Sequence, residues 1–305
     1  NYLTLRFIKY WQPELAIFVD SEIWPNMFKN LEINQIPIIL LNARITKKTF
    51  KRWKKISIFS KQVFECFHQA LAQNKETKKY LNKLGVKKVN LLGNLKFTET
   101  KIKNKQNLNK NLKIFFKFKK IWCASSTHDN EEIMSAIAHK TLKKNFKNLV
   151  TIIIPRHINR VDKIIKEIED LGLITHLHSS KNKIKKDTEI YIVDTYGETE
   201  KFFNICKTIF VGGSLVKHGG QNPLEPARLG CKIIHGPNVN NFNEIYSLLD
   251  NNKIAIKVNN LNQLISKIRI IMKKNVSSEK LISKLKKLGD EILYSTLLEI
   301  KKLIN

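Results

Sequence analysis

The sequence predicts an α/β fold made of two doubly wound parallel sheets. Two observations favour this fold: short β-branched or aromatic runs alternate with helical patterns along almost the whole chain, and polar motifs follow the strands. The chain has 305 residues, which is enough for two domains with their own cores. A polar stretch rich in Lys and Asn interrupts the alternation. We therefore expect one domain at residues 1–100, a linker at 101–113 and a second domain at 114–305.

The first domain shows the alternation clearly. After a helix at 3–10, strands are predicted at 15–19, 36–41, 67–72 and 89–92, with helices at 21–30, 47–64 and 75–84 between them. Polar segments follow three of these strands, at 20–22, 42–44 and 93–96. Because the carboxyl ends of parallel strands meet at one edge of a sheet, we expect these segments to lie along that edge.

The second domain repeats the pattern. Strands are predicted at 121–124, 149–154, near 174, and at 189–193, 209–211, 232–234 and 254–258, with helices from 129, at 161–171 and 242–249, and across 261–303. Polar turns follow four of these strands, at 125–128, 155–157, 194–198 and 212–214. We expect the four turns to line one crevice, the two domains to face each other across a cleft, and the last helices to pack back toward the first domain.

A glycine-rich turn marks the centre of the second domain. Gly212, Gly213 and Ser214 end a buried strand, and a second pair, Gly219 and Gly220, follows. Glycines let backbone N–H groups approach a phosphate closely. The turn therefore predicts a nucleotide site.

A short helix is predicted immediately after the second glycine pair. Asn222 is placed at its N-cap, Pro223 at its first position and Glu225 at its third. Two explanations remain open for this pattern. Asn222 and Glu225 form only a capping box, or they contribute to the same ligand site as the glycines.

The formal net charge of +29 suggests nucleic acid, an anionic membrane or negatively charged substrates as partners. A hydrophobic share of 42% excludes a disordered chain. Only seven of the 55 basic residues are arginine, and Lys, Asn and Ile are all abundant, as a coding bias would also produce. The chain lacks the clustered aromatic and arginine residues of a nucleic-acid platform, so we expect no nucleic-acid partner.

Metal binding and membrane spanning are both disfavoured by the pattern. His128 and His218 lack partners at metal-ligand spacing, so no metal is predicted. No apolar run approaches the roughly 20 residues that span a bilayer. The chain begins with Asn1 instead of methionine, and we expect the natural protein to have an N-terminal segment before it.

The polar motifs together resemble the Kdo transferases of lipid A biosynthesis. The matching motifs are Ser-Glu-Ile-Trp-Pro-Asn at 21–26, Leu-Asn-Ala-Arg at 41–44, Gly-Asn-Leu-Lys-Phe at 93–97, Ser-Ser-Thr-His at 125–128, Pro-Arg-His at 155–157, Val-Asp-Thr-Tyr-Gly-Glu at 193–198, and Gly-Gly-Ser-Leu with Gly-Gly-Gln-Asn-Pro-Leu-Glu-Pro within 212–226. They occur in the family's order between about residues 7 and 249. Single motifs of this length are weak, but seven in order are specific.

The resemblance implies a fold and an activity. Such enzymes have two Rossmann-like domains facing a cleft, the GT-B arrangement, and the first domain would be incomplete here. They transfer 3-deoxy-D-manno-oct-2-ulosonic acid (Kdo) from CMP-Kdo to a lipid A precursor, lipid IVA, with inversion. They need no metal or other cofactor. The implied location is the cytoplasmic face of the bacterial inner membrane, and the implied partners are CMP-Kdo, the lipid acceptor and the anionic membrane.

The resemblance also assigns roles to residues. Glu22 and Lys96 would stabilise charge in the transition state, while the family's general-base glutamate and membrane anchor would precede Asn1. The residues implied around CMP-Kdo are Arg156, His157, Tyr196, Gly197, Glu198, Gly212, Gly213, Ser214, Asn222, Pro223, Leu224 and Glu225. Further candidates are Arg44, Ser126, Thr127 and His128.

Two other classes of protein remain alternatives. A UDP-sugar transferase or epimerase of the same architecture would use the same crevice for another base and sugar. A basic nucleic-acid-binding module would explain the charge but none of the motifs.

The predicted helix at 47–64 is basic and carries an aromatic and aliphatic stripe. The stripe consists of Phe50, Trp53, Ile56 and Phe59. A basic helix with such a stripe suits an anionic bilayer surface. Alternatively, the stripe packs onto the first sheet and the lysines are simply solvated.

Overall fold

The computed structural model describes residues 2–98, 107–274 and 277–304. The chain forms two compact units: unit 1 comprises Asn1–Thr100 with Lys286–Asn305, and unit 2 comprises Lys101–Leu285. Each unit contains a sheet whose paired strands are all parallel, with helices between the strands. The predicted α/β fold class is therefore confirmed. Of the predicted linker, residues 101–106 lie outside the described residues, and residues 110–113 already belong to a helix.

Unit 1 is built on a four-stranded sheet in the order β1-β2-β3-β4. The strands are β1 (Ala16–Val19), β2 (Ile38–Ala43), β3 (Gln69–Ala72) and β4 (Val89–Leu91). The helices before and between them are α1 (Tyr2–Trp11), α2 (Pro25–Ile33), α3 (Lys47–Lys55), α4 (Ser57–Glu65) and α5 (Lys75–Leu84), and a 3₁₀ turn follows at Leu95–Thr98. In the core of unit 1, the ring of Phe67 packs edge-on against Phe28 and is tilted against Phe64.

The last part of the chain returns to unit 1. Helix α13 (Ser278–Ile304) carries Glu299, whose carboxylate is largely buried. It accepts hydrogen bonds from Gln69 at 2.5 Å and from Asn90 at 2.9 Å, at the amino end of β3 and on β4. Lys302, one helical turn further on, also donates to this carboxylate. The helix is thus fixed to the sheet by charge-assisted hydrogen bonds.

Unit 2 is built on a seven-stranded sheet in the order β11-β10-β9-β5-β6-β8-β7. The strands are β5 (Lys120–Thr127), β6 (Leu149–Pro155), β7 (Thr175–Leu177), β8 (Ile190–Ile192), β9 (Thr208–Val211), β10 (Lys232–His235) and β11 (Ala255–Lys257). The helices are α6 (Lys110–Phe116), α7 (Glu131–Lys143), α8 (Val161–Glu169), α9 (Thr199–Ile205), α10 (Leu224–Arg228), α11 (Asn243–Asn251) and α12 (Leu261–Lys273), with a 3₁₀ turn at Ile158–Arg160.

The direction of winding reverses between β5 and β9. From β5 the chain builds the sheet outward through β6 to β8 and β7, and it then returns to add β9, β10 and β11 on the other side. In open α/β sheets, ligands bind at the carboxyl ends of the strands where this reversal occurs. The loops after β5 and β9 therefore flank the expected ligand position of unit 2.

Three differences from the predicted helix boundaries concern candidate residues, and helices α6 and α9 lie where no helix was predicted. The helix predicted at 47–64 is broken at Ile56, whose backbone (φ −113°, ψ 53°) is not helical, so α3 and α4 are separate. Helix α2 begins at Pro25, four residues later than predicted, because proline suits the first helical position. Helix α10 begins one residue later than predicted, at Leu224.

The turns after β5 and β9 are held together by one buried carboxylate. Glu131, in the first turn of α7, is completely inaccessible to solvent. Its two oxygens accept four backbone N–H bonds: from His128 at 3.0 Å and Gly213 at 2.6 Å on one oxygen, and from Ser214 at 3.1 Å and Leu215 at 3.0 Å on the other. Hydrogen bonds to an ionised acceptor are strong, and a buried N–H left unpaired is costly.

The two turns also approach each other so closely that only glycine fits at position 212. A Cβ atom there would lie 2.6 Å from the carbonyl oxygen of Ser126 and 2.8 Å from the Glu131 carboxylate. Ser126 itself adopts a positive φ of 55° in a register shift of β5 against β6. The local backbone of both turns is therefore fixed by their mutual contact.

We predict that Glu131→Gln destabilises unit 2 by about 3 kcal/mol, because an amide has only one oxygen and its NH₂ group opposes two of the four N–H donors. The measurement is urea unfolding followed by the fluorescence of the buried Trp122 in β5. Asp187→Asn, at an exposed loop position of the same unit, removes the same charge and is the control. Equal unfolding midpoints for both variants would show that Glu131 does not hold the turns.

Candidate functional site

The reversal point of unit 2 gathers three histidines from three loops. The ring of His128, after β5, lies 3.7 Å from that of His218 and 5.7 Å from that of His157, measured between ring centroids. His218 belongs to the glycine-rich stretch after β9, and His157 follows β6. His128 is only 8% exposed, whereas the other two are exposed. The structure thus brings together histidines that are 29 to 90 residues apart in the sequence.

The environment of His128 keeps its imidazole neutral. Burial is the main cause that lowers its pKa to about 4, and the neighbouring His218, His157, Arg160 and Arg156 contribute to the same shift. The side-chain amide nitrogen of Gln221 lies 3.1 Å from Nε2 of His128. Because an amide nitrogen only donates, this contact requires an unprotonated Nε2.

The two arginines beside this cluster differ in their availability. Arg160 is bound to Glu132 at 3.1 Å and to Asp129 at 2.7 Å. Arg156 is exposed, and its guanidinium makes no hydrogen bond or ion pair with the described part of the chain. Arg156 is therefore an exposed cation at this edge of the sheet whose charge no carboxylate of the described residues neutralises.

The glycine turn is used differently from the sequence prediction. The N–H groups of Gly213 and Ser214 are occupied by Glu131, so the interpretation that they cradle a phosphate is wrong. Ser214 is fully buried; its hydroxyl donates to the carbonyl of Val211 and accepts from the N–H of Gly236 at 2.8 Å. Gly212, Gly213 and Ser214 shape the site by their packing.

The start of α10 also corrects the sequence analysis. Asn222 is not the N-cap; its side chain accepts a hydrogen bond from the N–H of Leu224 at 3.1 Å, and Pro223 occupies the cap position. Pro223 and Leu224 are buried, so neither presents its side chain to a ligand. A capping box is absent from α10, because Glu225 makes no hydrogen bond or ion pair with the described chain.

Glu225 instead presents an unengaged carboxyl group. The residue as a whole is exposed, yet desolvation by the atoms around its carboxyl group raises its pKa, and the nearby Glu200 raises it further. Arg228 opposes this shift. The geometry contradicts the capping interpretation of Glu225, and the ligand interpretation stays a prediction.

The turn after β8 combines an exposed ring with a fixed carboxylate. Tyr196 is 69% exposed, and Gly197 adopts a positive φ of 79°. Glu198 accepts hydrogen bonds from His178 at 2.9 Å and Lys201 at 2.8 Å. Burial acts to raise the pKa of Glu198, but these two bonds lower it overall. Its role is therefore to fix the turn.

The carboxyl edge of unit 1 holds a line of polar side chains, one from each strand end. Asp20 accepts hydrogen bonds from Asn42 at 2.6 Å and from Gln73 at 2.9 Å, and Gln73 accepts one from Asn94 at 3.1 Å. Asn42 further accepts the N–H of Leu95 at 3.0 Å. Asp20 and Asn42 both adopt positive φ values, of 58° and 51°. These hydrogen bonds therefore join the three polar segments that were predicted to share this edge.

This network positions the candidate residues of unit 1. Lys96 and Arg44 lie beside it, because the N–H of Lys96 donates to Asn94 at 2.9 Å and that of Arg44 donates to Asp20 at 2.9 Å. Both side chains are exposed. Glu22 is exposed too, and its carboxylate accepts a hydrogen bond from the indole of Trp24 at 2.9 Å.

Ser126 and Thr127 take structural positions in unit 2. Thr127 is fully buried, and its hydroxyl donates to Glu132 at 3.0 Å. Ser126 is half-buried at the register shift of β5. Both residues set the direction of the chain that leads to His128.

Sequence reasoning did not assign four residues that the structure shows at these edges: Glu131, His218, Gln221 and Gln73. Gln73 directly follows a strand, as the other polar edge residues do, so its position was a usable signal. Glu131 lies in the helix predicted from residue 129, where an acidic residue needs no further explanation. Three of its four partners lie 82 to 84 residues further along the chain, and no local pattern marks them.

The described residues contain neither a metal-binding cluster nor a membrane-spanning helix. Within residues 2–98, 107–274 and 277–304, no group of three or more His, Cys, Asp or Glu side chains is arranged to hold a metal ion. In the same ranges, no helix combines the length and the apolar character needed to cross a membrane.

Comparison with known proteins identifies relatives of both units. A family model described as 3-deoxy-D-manno-octulosonic-acid transferase (kdotransferase) matches residues 2–99. The 3-deoxy-D-manno-octulosonic acid transferase of Rickettsia felis is 34% identical over 277 residues, which cover 90% of this chain and 59% of that protein. The chain thus spans about three fifths of the length of this curated relative.

Solved structures agree with the fold. The C-terminal CMP-Kdo binding domain of WaaA from Acinetobacter baumannii is 27% identical, with a TM-score of 0.54, covering 58% of this chain and 93% of that chain. UDP-GlcNAc 2-epimerase from Neisseria meningitidis, at 14% identity and a TM-score of 0.58, covers 97% of this chain and 78% of its own, which shows a shared fold alone. Residues 2–99 are thus similar to the family model of the 3-deoxy-D-manno-octulosonic-acid transferases, and 90% of the chain is similar to a curated transferase of that name.

Proposed function

We propose that this protein is a glycosyltransferase that moves Kdo from CMP-Kdo to a lipid A precursor, with inversion, at the cytoplasmic face of the inner membrane. The observation that carries the proposal is the likeness of unit 2 to a CMP-Kdo binding domain, since that likeness covers 93% of the relative's chain. The proposal includes no metal and no other cofactor. The alternative of a UDP-sugar epimerase rests on a fold likeness at 14% identity and has no residue-level support.

The donor is placed at the reversal point of unit 2. Arg156 offers an exposed, unpaired guanidinium for the phosphate, and His157 lies next to it. The exposed Tyr196 and Gly197 of the turn after β8 form a second wall. Glu225 presents a carboxyl group that accepts hydrogen bonds from ribose hydroxyls.

The acceptor side of the reaction is assigned to unit 1. Glu22 and Lys96 are exposed beside the polar network of the strand ends, which holds the backbone around them in place. Preorganised charges of this kind stabilise charge that develops as the sugar leaves the nucleotide. Arg44, on the same edge, is available to an anionic acceptor.

Unit 1 also carries a surface suited to an anionic bilayer. Helix α3 has six basic residues among nine and no acidic residue. Its Phe50 and Trp53 pack partly against the core of unit 1, so the predicted stripe is not wholly exposed. Ile56, Ile58 and Phe59 are exposed where α3 meets α4. We infer that lysines of α3 and this apolar corner contact the membrane that holds the acceptor.

The donor assignment predicts that the protein binds CMP more tightly than UMP. It also predicts that Arg156→Ala weakens CMP binding roughly tenfold to a hundredfold, because a charge-assisted contact of about 1.5–3 kcal/mol is lost. Isothermal titration calorimetry measures both. Lys144→Ala, at the C-terminal end of α7, removes one exposed positive charge and serves as the control. Equal affinity for CMP and UMP would reject the cytidine donor.

The assignment of Glu225 predicts that Glu225→Gln weakens CMP binding roughly tenfold while the melting temperature stays nearly unchanged, because the carboxyl group has no structural partner. The deciding comparison is 2′-deoxy-CMP. If the carboxylate receives the 2′-hydroxyl, parent and variant should bind the deoxy nucleotide almost equally. A variant that binds CMP as well as the parent would exclude Glu225 from the site.

The membrane surface predicts that replacing Lys47, Lys51, Lys54 and Lys55 with Gln sharply reduces co-sedimentation with anionic vesicles, since each basic residue near the surface contributes about 1 kcal/mol. The control replaces four exposed lysines of α13, Lys280, Lys286, Lys287 and Lys301, with Gln, so that the net charge is the same. If both variants lose binding equally, total charge and not α3 is responsible.

A further inference from the structure

The histidine cluster of unit 2 is assembled around one buried ring. His218 stacks on His128 with their planes 31° apart, and His157 meets His128 edge to face at 78°. The two outer rings are exposed and come from different loops, while the central ring is buried. Both outer imidazoles therefore border the same position at the reversal point of the sheet.

Gly213 has no side chain, and this leaves room for the rings of His128 and His218. A Cβ atom on Gly213 would lie 3.0 Å from Cδ2 of His128 and 3.4 Å from Cδ2 of His218, and its φ of 65° is unfavourable for other residues. Glu131 holds the N–H of Gly213 and the N–H of His128 on the same oxygen. The stack is thus fixed by the same contacts that fix the two turns.

The charges around the cluster favour an anion. The groups that face His128 are His218, His157, Arg156 and Arg160, together with the amide of Gln221. Arg160 is neutralised by Glu132 and Asp129, and Glu131 is buried beneath with its oxygens facing N–H groups. Arg156 has no acidic partner within the described chain. The accessible groups at this position are therefore one guanidinium and two imidazoles.

We propose that His157 and His218 form, with Arg156, a proton-linked subsite for the phosphate group of the nucleotide, so that binding of the phosphate is accompanied by proton uptake from the buffer. This inference rests on the proposed donor function. His128 is the neutral support between the two outer rings. Its contact with Gln221 requires Nε2 to remain unprotonated, so it does not take part in the uptake.

The proton linkage follows from elementary electrostatics. An ordinary imidazole titrates near pH 6.5, and an adjacent anion favours its protonated form. With the anion bound, the protonated form is favoured. Affinity for the phosphate dianion therefore falls as the pH rises through the range in which an imidazole loses its proton.

The test is isothermal titration calorimetry of the full chain with CMP at pH 7.5, in PIPES and in Tris, whose ionisation enthalpies differ. At this pH a phosphate monoester, with its second ionisation near pH 6, has almost no proton of its own to release. The expected result is an enthalpy difference that corresponds to uptake of roughly 0.3 proton or more per CMP. Cytidine, which lacks the phosphate, should show no such difference.

The variants identify the groups that take up the proton. His218→Gln should reduce the uptake, and the double variant His157→Gln/His218→Gln should abolish it and weaken CMP binding at pH 6.5 roughly tenfold. His68→Gln, at an exposed position of unit 1, should change neither. CMP binding without any buffer dependence, or with uptake unchanged in the double variant, overturns the proposal and leaves the donor function intact. Absence of CMP binding by the parent refutes the donor function and this subsite with it.

Discussion

The carboxylate of Glu131 is the constraint on which the ligand edge of unit 2 depends. It accepts hydrogen bonds from four backbone N–H groups of two different turns, at a position that solvent does not reach. A buried polar network of this kind is stable only when every member is paired. The turns after β5 and β9 therefore adopt one arrangement. This arrangement fixes the positions of His128, His218 and Gln221.

The fold and the location of the ligand edge could be predicted because both follow from short-range patterns. Alternation of apolar runs and helical periods determines a parallel sheet, and parallel strands place the segments after them at one edge. Polar residues such as Asn42, Asn94 and Arg156 were recognisable at that edge by their place after a strand. The seven motifs in order also indicated the resemblance to the Kdo transferases.

The remaining features depend on contacts between distant residues. The sequence Asn-x-x-Glu at 222–225 is the same whether or not a capping box forms, and packing of Pro223 and Leu224 decides against it. The break of the basic helix at Ile56 is not marked by glycine or proline, and Trp53 before the break meets Phe64 after it edge to face. The turn predicted to contact a phosphate instead donates the N–H groups of Gly213 and Ser214 to a carboxylate that lies more than 80 residues earlier in the chain.

The attachment of α13 to unit 1 has a consequence for the order in which the protein is made. Unit 2 is one continuous segment, whereas unit 1 is assembled from two segments separated by all of unit 2. Gln69 is buried in β3, and its amide donates to Glu299, which leaves the ribosome 230 residues later. Domains generally fold as units during synthesis, at about 5–20 residues per second. The sheet of unit 1 is therefore synthesised before unit 2, but its contacts with α13 form only after unit 2 has been synthesised.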